Sequence, residues 1–121
     1  MATILVVEDE VLIAMLIADA IADAGHTIAG PYNTVPAALA VVEREPIDAA
    51  ILDINLGRNG YSYPVAAALA RRAVPFAFLT GYARASVDPA FRAVPLLQKP
   101  VAGHVLAELI AALVAPRTHT P

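Results

Sequence analysis

The chain has 121 residues, 59% of them hydrophobic, with a formal net charge of -3 and no cysteine. That is enough chain for one domain with a real core and no metal or disulfide staple. The charge balance argues against a nucleic-acid surface, and the absence of thiols excludes cysteine catalysis and Cys-ligated zinc. The start lacks the basic region of a signal peptide. The apolar stretch from Val11 to Ile21 is interrupted by Asp19 and is too short for a bilayer, so a soluble, cytoplasmic domain is expected.

In chain order, Ile4 to Val7 is an apolar, β-branched run that reads as a strand delivering Glu8-Asp9-Glu10 to a loop. Val11 to Ala24 reads as a helix, with Ile13, Ile17 and Ile21 at i, i+4 spacing. Gly25 closes it where a left-handed residue is wanted. Thr27 to Gly30 is a weak second strand, expected to break at Gly30-Pro31 and to contribute nothing to a site. Thr34 to Glu45 is a second helix, with Pro36 in the first turn, where a missing N–H costs nothing, and Pro46 as its stop. Ala49 to Leu52 is a run of four apolar residues ending abruptly on Asp53, the mark of a strand buried on both faces at the centre of a parallel sheet.

Leu56 to Gly60 is turn-prone, and Pro64 to Arg72 is an alanine-rich third helix. Pro75 to Thr80 forms a fourth strand. Pro89 and Pro95 confine any helix between Ala83 and Val94 to about two turns. Leu96 to Gln98 is a short fifth strand, ending on Lys99-Pro100, and a last helix spans about Ala102 to Ala115. Residues 1–115 are thus expected to form one domain and residues 116–121 a disordered tail. Strands alternating with helices predict an α/β, doubly wound parallel sheet with its strand ends on one edge. That edge is where such folds bind their ligands.

The polar residues that end the strands are Glu8 and Asp9, Asp53, Thr80 and Lys99. Singly, each has an ordinary explanation: acids favour a helix start, a Thr before Gly is a turn residue, and a Lys beside Pro is a surface charge. Their joint placement is what points to chemistry. Two carboxylates about 4 Å apart repel by roughly 4 kcal/mol at an effective dielectric of 20, so three meeting acids need a cation. Oxygen ligation with room for water favours Mg²⁺ over zinc. An acidic pocket that also holds a lysine and a hydroxyl suits phosphoryl transfer to a carboxylate, giving an aspartyl phosphate.

With Val7-Glu8-Asp9, Leu52-Asp53, Thr80-Gly81 and Lys99-Pro100 at this spacing, the whole chain resembles the receiver domain of bacterial two-component response regulators. The resemblance implies a flavodoxin-like (βα)5 fold with a five-stranded parallel sheet in the order 2-1-3-4-5. It implies that Asp53 accepts phosphate from a histidine kinase or a histidine phosphotransfer protein. Glu8 and Asp9 would hold Mg²⁺, for which Mn²⁺ can substitute, with Asp53 and the backbone carbonyl of Asn55 as further ligands. Lys99 would contact the phosphoryl group, Thr80 would move toward it, and the Lys99-Pro100 bond would be cis. Such a domain assists its own phosphorylation and dephosphorylation and is not a conventional turnover enzyme.

Three positions depart from the usual receiver pattern. Leu96 stands where a switch Tyr or Phe is usual, the loop after the phosphoacceptor reads Gly57-Arg58-Asn59-Gly60 in place of a proline, and the stretch from Thr80 to Leu96 is shorter and more proline-broken. Phe78-Leu79-Thr80-Gly81-Tyr82 resembles the subgroup nicknamed FAT GUY, often stand-alone regulators. Tyr82 either replaces the missing aromatic as a switch or merely packs at the surface. Apolar residues beyond one face of the first and last helices, Leu12, Met15, Leu106 and Ile110, are mostly core by composition but could dock a kinase helix pair or form a homodimer. Output would pass to an unknown downstream protein, with no direct contact to nucleic acid or membrane. His26, His104 and His119 have no ligand spacing and read as structural or solvated. The alternatives are a pseudo-receiver that never takes phosphate and a Mg²⁺-dependent aspartyl-phosphate phosphatase. The second is disfavoured by Asn55, which cannot transfer a proton where those enzymes place a second Asp.

Overall fold

Strands β1 (Thr3–Val7), β2 (Thr27–Tyr32), β3 (Ala49–Leu52), β4 (Phe76–Thr80) and β5 (Leu96–Gln98) form one sheet in the computed structural model, which describes residues 1–81, 83 and 86–116. All pairings are parallel and the order is β2-β1-β3-β4-β5. Helices α1 (Val11–Asp23), α2 (Val35–Arg44), α3 (Tyr63–Arg71) and α4 (Gly103–Val114) cover both faces. This is the flavodoxin-like, doubly wound arrangement, and it follows from three central strands too apolar to leave either face in water.

The pleat divides the core in two. Leu5, Val7, Ala50, Leu52, Phe76 and Phe78 face α2 and α3, joined by Val41, Val42, Val65 and Leu69. Ile4, Val6, Ala49, Ile51, Ala77 and Leu79 face α1 and α4, joined by Ile17, Ile21, Leu106 and Ile110. The α2 start is set by Thr34, whose hydroxyl accepts from the Ala37 amide at 3.3 Å, with Pro36 in the first turn.

Three local readings change. β2 does not break at Gly30-Pro31: it continues to Tyr32 by shifting register against β1 between Leu5 and Val7. Gly30, at φ +109°, makes this possible, because a Cβ there would lie 2.9 Å from the Val6 carbonyl oxygen. Both the Gly30-Pro31 and the Lys99-Pro100 bonds are cis. The crossover between β4 and β5 has no α-helix among the described residues but includes a 3-10 turn at Pro89–Phe91 capped by Asp88. Among the described residues, four α-helices therefore accompany five strands. Phe91 holds that crossover down by stacking on Tyr63 at 5.5 Å and meeting Phe78 edge-on at 6.1 Å.

The third change concerns the apolar surface read on the first and last helices. Leu106 and Ile110 are fully buried against the sheet and cannot form a partner surface. On a helix that is apolar nearly all round, only the sheet decides which stripe turns inward. Leu12 and Met15 are exposed, together with Val11 and Leu16. No helix among the described residues is long and apolar enough to cross a membrane. Tyr82 and residues 117–121, including His119, lie outside the described residues.

Candidate functional site

Parallel neighbours β1, β3 and β4 end at the same edge of the sheet, which brings their terminal residues together. The Asp53 amide donates to the Val7 carbonyl at 2.8 Å, holding the residue beside Glu8. The Glu8 amide donates to the Tyr32 carbonyl at 2.9 Å, so the extended β2 also frames the site. From the far side, the Lys99 amide donates to the Thr80 carbonyl at 2.7 Å. A cleft of about 300 Å³ opens here, lined by Asp9, Glu10, Asp53, Asn55, Thr80 and Lys99, among others.

Lys99 Nζ is the hub. It lies 2.9 Å from Glu8 Oε1, 3.1 Å from Asp53 Oδ2 and 3.3 Å from Glu10 Oε1. Glu8 and Asp53 are buried, whereas Glu10 is open to solvent. The other Glu8 oxygen, Oε2, accepts the amides of Asp9 at 3.0 Å and Glu10 at 3.3 Å, which fixes the turn. Thr80 is buried, and the Asn55 side-chain oxygen accepts the Gly57 amide at 2.8 Å.

The charges are strongly interdependent. Burial, then the hydrogen bond to Asp53, push the Glu8 carboxyl up to about 8, against an opposing pull from Lys99. Burial would lower the Lys99 ammonium, but its contacts with Glu8 and Asp53 outweigh this and raise it. Carboxylate oxygens of Glu8, Asp9, Glu10 and Asp53 lie within 4.8 Å of one another. An all-oxygen set whose buried acid resists ionising fits a hard divalent cation such as Mg²⁺. A cation would let Glu8 ionise, and the set contains no sulfur or imidazole that would favour zinc.

Sequence reasoning passed over Glu10. Its signal was available, since it directly follows the two acids, but nothing in the order of residues says that its side chain meets Lys99, 89 positions away.

A doubly wound parallel sheet ending in clustered acids, a hydroxyl and a lysine is the architecture of a signalling receiver, and the chain belongs to the response-regulator receiver domains. It is similar to SdrG from Sphingomonas melonis Fr1, at 49% identity and a TM-score of 0.82 over 95% of this chain and 98% of that one. SdrG of Pseudomonas melonis Fr1 in a BeF3-activated conformation is also 49% identical, with a TM-score of 0.76 over 93% and 96% of the two chains. The PhyR response regulator receiver domain of Erythrobacter litoralis is 25% identical, with a TM-score of 0.78 over 98% and 96%. No family model matches the chain, and no curated protein matches it.

Proposed function

We propose that this receiver domain takes a phosphoryl group onto Asp53 from a histidine kinase or a histidine phosphotransfer protein in the cytoplasm and signals through protein contacts. The observation that carries the reading is the buried Asp53 carboxylate, paired with Lys99 at 3.1 Å at the mouth of an open cleft. One Asp53 carboxylate oxygen forms the new bond to phosphorus. The bond from phosphorus to the donor imidazole nitrogen breaks, and its electron pair stays on that nitrogen, which can then take up a proton.

Glu8, Asp9, Asp53 and the backbone carbonyl of Asn55 would hold Mg²⁺, or Mn²⁺ in its place. Such an ion supplies charge neutralisation for the transferring group. Lys99 balances charge on the phosphoryl oxygens, and the Thr80 hydroxyl donates to one of them. The added charge of about -1.5 to -2 biases the crossover from Gly81 to Pro95 between two arrangements, through which a downstream protein is recognised. With Leu96 on β5, Tyr82 is the aromatic proposed to respond, in keeping with the FAT GUY pattern. The exposed Leu12 and Met15 on α1 offer the surface for the phosphodonor protein or for a second copy.

The test is intact mass after incubation with Mg²⁺ and a small acyl phosphate, for the wild type and Asp53→Asn. A labile phosphoryl adduct on the wild type alone is expected. Trifluoroberyllate, which activates the 49%-identical SdrG, gives a second readout, because it tests the pocket without covalent chemistry. No adduct and no trifluoroberyllate response would favour the pseudo-receiver.

A further inference from the structure

We infer that Glu10 is a positioning residue: it holds the Lys99 ammonium at the lip of the cleft and thereby slows entry of the phosphoryl group. The inference rests on the reading of Asp53 as phosphoacceptor. An ammonium has three protons, and Lys99 Nζ faces three carboxylates: Glu8 at 2.9 Å, Asp53 at 3.1 Å and Glu10 at 3.3 Å. Glu8 and Asp53 are the two that a cation and an incoming phosphoryl group would claim. Glu10 lies outside the proposed ligand set of Glu8, Asp9, Asp53 and the Asn55 carbonyl, so it is the carboxylate that still competes for Lys99 when the other two are engaged.

The position of Glu10 in the fold supports this role. It is the N-cap residue of α1, where an acidic side chain ordinarily bonds first-turn amides. Its backbone does the helix work, since its carbonyl accepts the Ala14 amide at 2.9 Å. Its side chain makes no capping bond among the described residues and turns to Lys99 instead. The side chain remains 60% exposed against 13% for Lys99, so the pair can open without unpacking the core. An exposed pair of this kind is weak, which suits a restraint that must give way. When phosphate arrives on Asp53, with a phosphoryl oxygen as a closer and more charged acceptor, Lys99 exchanges Glu10 for it.

The experiment measures adduct formation by intact mass with Mg²⁺ and acetyl phosphate, for the wild type, Glu10→Gln and Glu10→Asp. Asp53 attacks phosphorus, the bond from the acyl oxygen to phosphorus breaks, and acetate leaves with the electron pair. Glu10→Gln removes the charge, while Glu10→Asp keeps the charge and shortens the reach by one methylene. Both variants are expected to accept phosphate about two- to fivefold faster than the wild type, the range an exposed ion pair allows. The 1H–15N signal of the Lys99 ammonium should shift in both. Unchanged rates or an unchanged Lys99 signal overturn the inference. So does an effect in Glu10→Gln alone, which would mean simple repulsion of an anionic donor. Absence of both an adduct and a trifluoroberyllate response on the wild type instead defeats the reading of Asp53, and the restraint on Lys99 is then decided by the ammonium signal alone.

Discussion

Raising the pH should destabilise the metal-free protein through one group, Glu8. Its side chain is fully buried, and burial followed by the hydrogen bond to Asp53 moves its carboxyl from an ordinary 4.5 to about 8. Between those values the folded chain retains a proton that the unfolded chain has released. The contribution is therefore fully present below about pH 4.5 and is lost as the pH climbs through the folded value near 8. One proton sets the steepest slope, a loss of about 1.4 kcal/mol per pH unit. Lys99 is raised from a value already far above this window and adds nothing to the slope within it. Urea unfolding of the wild type and Glu8→Gln, at intervals from about pH 5.5 to about pH 7.5, isolates the effect, because every other titrating group is common to both. The wild type should lose stability relative to Glu8→Gln across that range. Excess Mg²⁺ should flatten the loss, since ligation favours the ionised carboxylate. A difference that stays level or grows with pH would refute the account of this pocket.

Replacing Lys99 by Met should cost about 3 kcal/mol near neutral pH, because it leaves the buried Asp53 carboxylate without its ammonium; equal urea midpoints would contradict this. Gly30→Ala should destabilise by at least about 1 kcal/mol, since a Cβ would meet the Tyr32 amide nitrogen at 2.8 Å at a φ of +109°. A thermal midpoint unchanged from wild type would count against it. Leu106→Asp should unfold the domain, whereas Leu12→Asp should leave its stability within about 0.5 kcal/mol and weaken phosphodonor binding. Circular dichroism and a binding titration separate these two outcomes. Phe91→Ala should speed amide exchange across residues 87–94, because the stack on Tyr63 at 5.5 Å is lost; unchanged protection there would show that the crossover is held by other contacts.

Local chemistry decided a good deal of this architecture. Ala49 to Leu52 cannot leave either face in water, which makes it central and parallel and puts Asp53 at the sheet edge. The same logic places Glu8 after β1 and Thr80 at the end of β4, so the acids, the hydroxyl and the lysine were legible as strand endings. The alternation of strand and helix was legible for the same reason, since each element carries its own period and its own stops.

What depended on the tertiary structure were choices the local pattern leaves degenerate. The last helix is apolar on several sides, and only contact with Ile51, Ala77 and Leu79 selects Leu106 and Ile110 for burial. β2 could continue past Gly30-Pro31 because β1 accommodates a register shift, a property of the pair and of neither strand alone. The β4–β5 crossover, which shows no α-helix among its described residues, is held to the sheet where Phe91 packs on Tyr63 and Phe78. Glu10 finds Lys99 only because the ends of β1 and β5, with β3 and β4 between them, stop at the same edge of the sheet. Periodicity is a property of consecutive residues, whereas partner choice is a property of surfaces that exist only once the sheet has closed.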